Sequence, residues 1–175
     1  MRLLSILFFL FISNSTQAAT IKYDVNNISG NQWSYEYTVH NDTLSSDIEW
    51  FAIYFDYNLY ENLQILSTPS NWDPLVFQPD TGLPSDGVYD IFALSTGIAP
   101  SSSLSGFILQ FDYLGIGTMP GSQAFEIFDP SFNIIDTGST SLSVGQQIPE
   151  PNIIFLLLMG MAIIGFCQLQ KIRKF

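Results

Sequence analysis

From residue 20 onward, apolar and polar side chains trade places at every second position. Ile21, Tyr23 and Val25 alternate first, and Trp33, Tyr35, Tyr37 and Val39 then share one face while Ser34, Glu36 and Thr38 share the other. A strand points successive side chains to opposite sides, so this period lays one apolar row against a core; a helix would need recurrence every three to four residues. Residues 48–57 are nearly continuous in apolar and aromatic residues, which predicts a central strand covered on both faces. Shorter runs at 63–66, 88–94, 107–113, 124–128 and 132–135 read as further strands, with 75–77 an edge strand and Leu142 and Val144 closing the domain. Gly, Pro, Asn, Asp and Ser collect between the runs: a turn at 26–31, a loop at 41–47, a break at 68–74, a loop at 79–87, a Ser-rich linker at 101–105, a Gly- and Pro-bearing loop at 115–121 and a turn at Asp136-Thr137-Gly138. About ten short strands and no soluble helix predict an all-β, antiparallel β-sandwich.

The two ends follow a different rule. Arg2 precedes an apolar run, 3–12, and polar residues lead to the small pair Ala18 and Ala19. That is the three-part order of a secretory signal peptide, with cleavage after Ala18 placing the small Thr16 at the minus-three position. The run is about half the ~20 residues a membrane helix needs. At the other end, residues 153–167 carry no charge, and Lys171, Arg173 and Lys174 follow. Fifteen residues rise about 22 Å, short of a ~30 Å hydrocarbon core. Leu169 extends the segment and the basic side chains can snorkel to the interface. The expected organisation is a signal peptide at 1–18, an ectodomain at 19–147 and a C-terminal segment at 148–175. The last contains a transmembrane stretch at 153–169 and a basic tail held in the cytoplasm by the positive-inside rule.

Charge narrows the partners. The chain has sixteen Asp and Glu and five Lys and Arg. Between the two ends lie fifteen acids and one base, Lys22, a net of −14. Such a surface disfavours nucleic acid and anionic lipid; it suits solubility, divalent cations or neutral glycans. The one cysteine, Cys167, lies in the apolar C-terminal stretch, so the ectodomain has no disulfide framework.

Few residues offer chemistry. His40 is the one histidine, and a Ser-His-Asp triad would have to use it. Its place at a strand end beside Asn41 and Asp42 fits a surface residue better. Asp-Thr-Gly occurs at 80–82 and 136–138. Gln78 and Pro79 stand where an aspartic protease would need an apolar strand, and the second triplet leaves no chain for a further lobe. Asp80, Asp86 and Asp90 cluster around one loop and offer oxygen ligands for calcium, although their spacing is not that of an EF-hand. No other cofactor is expected. The aromatic residues are the better clue: three Trp and eight Tyr. Trp72, in a Pro-flanked loop, is expected to be exposed and to contact a ligand such as a sugar. Trp33 and Trp50 are expected in the core.

Pro149-Glu150-Pro151, the apolar stretch and the basic end together resemble the PEP-CTERM sorting signal of Gram-negative bacteria. Two prolines discourage helix and keep the motif extended where an enzyme can reach it. Asn152 stands where that family commonly has Ser, Thr or Ala, and residues 171–175 replace an arginine run. The resemblance implies signal peptidase and exosortase as processing partners, anchorage in the inner membrane before sorting, and delivery to the cell surface or an exopolysaccharide matrix. Residues 49–66, with Phe55-Asp56-Tyr57, and the runs at 107–113 and 136–138 resemble cohesin-like and carbohydrate-binding sandwiches of the immunoglobulin type. The function expected from these resemblances is a noncatalytic surface or matrix protein. The alternatives are a carbohydrate- or calcium-dependent binding module and, less favoured, a small secreted hydrolase.

Overall fold

The computed structural model describes residues 19–117 and 119–143. Ala18 and the rest of the expected signal peptide, Pro149-Glu150-Pro151, the apolar segment 153–169, and Lys171, Arg173 and Lys174 lie outside the described residues. Among the described residues no helix is long and apolar enough to cross a membrane.

The described residues form ten strands in succession: β1 (Ala19–Ser29), β2 (Gln32–Asn41), β3 (Trp50–Phe55), β4 (Tyr60–Ser67), β5 (Trp72–Phe77), β6 (Gly87–Ala93), β7 (Ser102–Tyr113), β8 (Ala124–Phe128), β9 (Ile134–Ser139) and β10 (Ser141–Leu142). They form two five-stranded sheets, ordered β10-β1-β2-β7-β4 and β5-β6-β3-β8-β9. Every pairing is antiparallel except that of β1 with β10. The all-β sandwich read from the alternation is the observed architecture.

The core follows from that alternation. Ile21, Tyr23 and Val25 of β1 are buried, as are Tyr35, Tyr37 and Val39 of β2 and Phe107, Leu109 and Phe111 of β7. Facing them from the second sheet are Phe51, Ile53 and Phe55 of β3, Tyr89 and Ile91 of β6, and Phe125 and Ile127 of β8. Rings interlock across the layers: Phe51 meets Phe107 edge to face at 5.2 Å, and Phe55 lies 6.2 Å from Phe111. Such pairs add to area burial, which is the main driving force here.

A core so rich in tyrosine must satisfy their hydroxyls. Gln123 does this from just ahead of β8. It is 3% exposed. Its Nε2 donates to Tyr35 Oη at 2.8 Å and Tyr60 Oη at 3.1 Å, and to Gly121 O. Its Oε1 accepts from Tyr37 Oη and Thr140 Oγ1, both at 3.1 Å. Burial holds the Tyr35 and Tyr37 hydroxyls well above the ordinary phenol range and pushes Tyr89 up to about 12. These groups therefore act as neutral donors and acceptors at physiological pH.

Local expectations fail where tertiary pairing overrides composition. The Ser-rich stretch 101–105 is not a linker: β7 starts at Ser102, and Ser103 and Ser105 pair with His40 and Thr38 of β2. Gly106, at φ +98°, is the extra residue between Ser105 and Phe107, where the register with β2 shifts. Its missing Cβ lets that bulge form. Asp136-Thr137-Gly138 is not a turn but the middle of β9, paired with β8. Phe132, expected to start a strand, stands in the turn between those two strands.

Candidate functional site

The second sheet's outward face is built by the residues that alternate with its core positions. Register sets three side chains in one row across the sheet: Trp50 of β3 lies opposite Phe92 of β6 on one side and Phe128 of β8 on the other. Strands sit about 4.8 Å apart. The rings follow that spacing, with centroids 4.7 Å apart for Trp50–Phe92 and 4.2 Å for Trp50–Phe128, and planes tilted by 24° and 25°. They stand upright and stacked, so both faces of the Trp50 indole are covered.

Phe132 completes the group. Its ring lies 5.0 Å from Trp50 at 84°. With both indole faces occupied, Trp50 meets it edge-on, and the far face of Phe132 is left open; the residue is 74% exposed. Phe132 has φ +68°, the left-handed region that a side chain other than glycine rarely adopts. Asp129 holds the turn in that shape. Its Oδ1 accepts from Ser131 N at 2.8 Å and Asn133 N at 2.9 Å, and its Oδ2 accepts from Asn133 Nδ2 at 2.9 Å. Those bonds, the Asn133 side chain first, hold the Asp129 carboxyl below its ordinary value, so it stays ionised. Ile134, paired with Phe128 and 52% exposed, extends the apolar row beyond the stack.

The next row of the sheet is acidic. Ala52 of β3 is flanked by Asp90 of β6 and Glu126 of β8. The outer strands of this row lie two strand spacings apart, about 9.6 Å, and Ala52 between them is covered by its neighbours at 3% exposure. Each acid is tied to an aromatic donor: Trp50 Nε1 donates to Asp90 Oδ1 at 2.5 Å, and Tyr54 Oη donates to Glu126 Oε2 at 2.6 Å. Burial raises the Asp90 pKa, and the indole donor opposes that rise. A carboxylate offers about four lone-pair sites, so each has room for further donors. Leu75 and Phe77 of β5, 50% and 53% exposed, border this row and the next. The face thus offers an open aromatic surface beside fixed hydrogen-bond acceptors.

The sequence-based candidates lie elsewhere or play other parts. Trp72 is not an exposed ring. Trp72 N donates to Pro69 O at 3.0 Å, a tight turn that aims the side chain inward. The ring is 6% exposed and packs on Phe51 at 5.7 Å and Phe107 at 5.3 Å, stitching the two sheets together. It forms the floor of a cleft of about 390 Å³ beside Asn71, Gly97 and Ser103. Trp50 reverses the opposite expectation: instead of lying in the core, it is half-buried on the outer face. Residues 48–57 look continuous because aromatic side chains occupy both faces of β3. Trp33 is partly buried against the core, as expected of an inward position.

Asp80, Asp86 and Asp90 have separate surroundings. Asp80 Oδ1 accepts from Gly82 N at 2.7 Å and Leu83 N at 3.2 Å, and Asp86 Oδ1 from Tyr57 N at 3.2 Å, while Asp90 belongs to the sheet face. Among the described residues no three His, Cys, Asp or Glu side chains group as a metal-binding set. His40 lies on the outward side of β2, paired with Thr20 and Ser103. Burial, then the Lys22 charge, lowers its pKa, with Asp42 opposing.

No family model matches the chain, and no curated protein matches it. Solved structures of similar shape exist at low identity. A cohesin module of a Clostridium perfringens family 33 glycoside hydrolase is 9% identical, with a TM-score of 0.47 over 73% of this chain and 98% of that one. A family 3b carbohydrate-binding module from the biomass-sensing system of Clostridium clariflavum is 11% identical, with a TM-score of 0.44 over 70% and 97%. A chitin-binding domain from Streptomyces coelicolor is 17% identical, with a TM-score of 0.39 over 62% and 90%.

Proposed function

We propose that this chain is an exported, noncatalytic cell-surface or exopolysaccharide-matrix protein whose sandwich binds glycan on the outer face of the β5-β6-β3-β8-β9 sheet. The observation that carries the reading is the Phe132 ring, held open to solvent over the Phe92–Trp50–Phe128 stack in a left-handed backbone conformation. Backbone strain of this kind costs about 1–2 kcal/mol and persists where surrounding structure enforces it. A sugar ring presents an apolar C–H face and a rim of hydroxyls. The open phenyl face suits the first, and Asp90 and Glu126 suit the second as acceptors. The upright stack beneath supplies a stiff support, which lowers the ordering cost of binding.

Delivery rests on the two ends. The N-terminal signal would bring the chain to signal peptidase, with release after Ala18. Pro149-Glu150-Pro151, the apolar segment 153–169 and Lys171, Arg173 and Lys174 would hold it in the inner membrane until an exosortase passes it outward. Mass spectrometry of the surface fraction tests this. The reading expects a C-terminus near the Pro-Glu-Pro motif in cells with an exosortase. The intact chain ending at Phe175 and retained in the membrane in the same cells would contradict sorting.

The binding test is a glycan panel probed with the full chain in detergent, with Phe132→Ala alongside. Retention on at least one polysaccharide, lost in the variant, is the expected result. Equal retention of both proteins, or of neither, would remove the sheet face as the binding surface.

A further inference from the structure

Resting on the glycan-binding reading of this face, we infer that its ligand is an amine-bearing polysaccharide, one whose sugars carry free ammonium groups, in preference to a neutral or uronic-acid polymer. Charge complementarity at fixed positions favours such a ligand. Asp90 and Glu126 flank Ala52 in the row beside the aromatic stack, Asp73 pairs with Phe92 at its end, and Asp129 anchors the turn that carries Phe132. Among the described residues no Lys or Arg answers them on this sheet. Lys22 is the single Lys or Arg among the described residues, and it lies in β1 of the other sheet.

Two of those carboxylates are oriented before any ligand arrives, Asp90 by the indole N–H and Glu126 by the Tyr54 hydroxyl. A neutral hydroxyl would gain an ordinary hydrogen bond from either. An ammonium gains a charge-assisted one, roughly twice as strong. Aromatic rings at the same site add to the selectivity, because a cation near a ring face is attracted by its electron density. A uronate would meet like charges at Asp90 and Glu126 and would have to displace water from them. The Asp90–Ala52–Glu126 row adjoins the row of Trp50, whose indole meets Phe132, so one polymer can engage both the ring and the acids.

The probes are a glucosamine oligomer, its fully N-acetylated counterpart of equal length, an oligouronate and polylysine, each titrated into the full chain in detergent in mildly acidic, low-salt buffer. The amine oligomer should bind about tenfold more tightly than the acetylated one, and that advantage should shrink as salt screens the charges. Asp90→Asn with Glu126→Gln should bring the two affinities together, because the amine oligomer loses its charge-assisted bonds and so weakens several-fold more than the acetylated one. Acetylated and amine oligomers bound equally, and both lost in Phe132→Ala, would overturn this inference and leave glycan binding standing. Equal binding of the oligouronate would overturn it too. Polylysine bound as tightly as the amine oligomer, with Phe132→Ala without effect on either, would show a general attraction to an acidic surface and would overturn both readings. Binding of no oligomer would overturn this inference and leave the glycan panel to decide the wider reading.

Discussion

The outward faces of the two sheets share one architecture and opposite chemistry. On the first, Thr20, Lys22 and Asp24 of β1 stand against His40, Thr38 and Glu36 of β2. That is what a solvated antiparallel sheet requires: apolar inward, polar outward. On the second, the corresponding positions hold Phe92, Trp50 and Phe128, with Phe132 above them. Both sheets bury equivalent inner rows, so folding does not demand the second pattern. On the proposed reading, this additional aromatic area is the binding surface. The turn carrying Phe132 sharpens the contrast, because it pairs an unfavourable backbone conformation with an exposed ring.

The largest expected effect that would break this contrast comes from Trp50→Ala. It removes the middle of the stack, lowers stability by about 3 kcal/mol and abolishes glycan binding. Glu36→Ala or Thr38→Ala, on the other face, should change stability by no more than about 0.5 kcal/mol and leave binding intact. Denaturant melts and titrations of the three proteins check both statements. If Glu36→Ala weakens binding as much as Trp50→Ala, the two faces are functionally alike.

Phe132→Ala comes next. Affinity should fall roughly 10- to 30-fold, as for an anchor ring at an interface, with stability within about 0.5 kcal/mol of the parent. A large loss of stability without loss of affinity would make Phe132 a packing residue instead.

How much of this contrast was visible in the sequence depends on which interaction decides each position. The inward row of β2 was legible because Tyr35, Tyr37 and Val39 alternate with polar residues and burial alone places them. Trp50 was not, because β3 is aromatic on both faces and its alternation is hidden. Trp72 misled in the other direction: its neighbouring prolines signal a loop, yet the turn closed by Pro69 O directs the ring into the core. Asp136-Thr137-Gly138 has turn composition but is captured by pairing with β8. Nothing local marks Gln123 as the hub for the tyrosine hydroxyls, since those contacts join residues more than sixty positions apart. Asp129 and Asn133 were the one local cue to the Phe132 turn, as an Asp can bond backbone N–H groups two and four residues ahead.

A smaller effect separates the ring of Phe132 from its backbone. Phe132→Gly removes the same side chain as Phe132→Ala but accepts the left-handed φ freely, so it should be more stable than the alanine variant by about 1 kcal/mol. Equal stabilities would mean the turn relaxes once the ring is gone.

The smallest effect concerns Asp90. Burial raises its folded-state pKa above the unfolded value, so its contribution to stability is fully present below the unfolded pKa and is lost as pH rises through the folded one. Asp90→Asn keeps an acceptor for the Trp50 indole without the buried charge. The variant should therefore melt slightly above the parent at neutral pH, with the gap closing as the solution is acidified. A gap that widens in acid would reverse the assigned cause.

The most direct test of the display argument is a paired measurement on Phe132→Gly: glycan affinity by titration and melting temperature in the same buffer. A platform held against local strain predicts affinity at least tenfold weaker at a melting temperature equal to or above the parent's. Unchanged affinity in a protein that melts as high would contradict it and return the aromatic face to the status of ordinary surface.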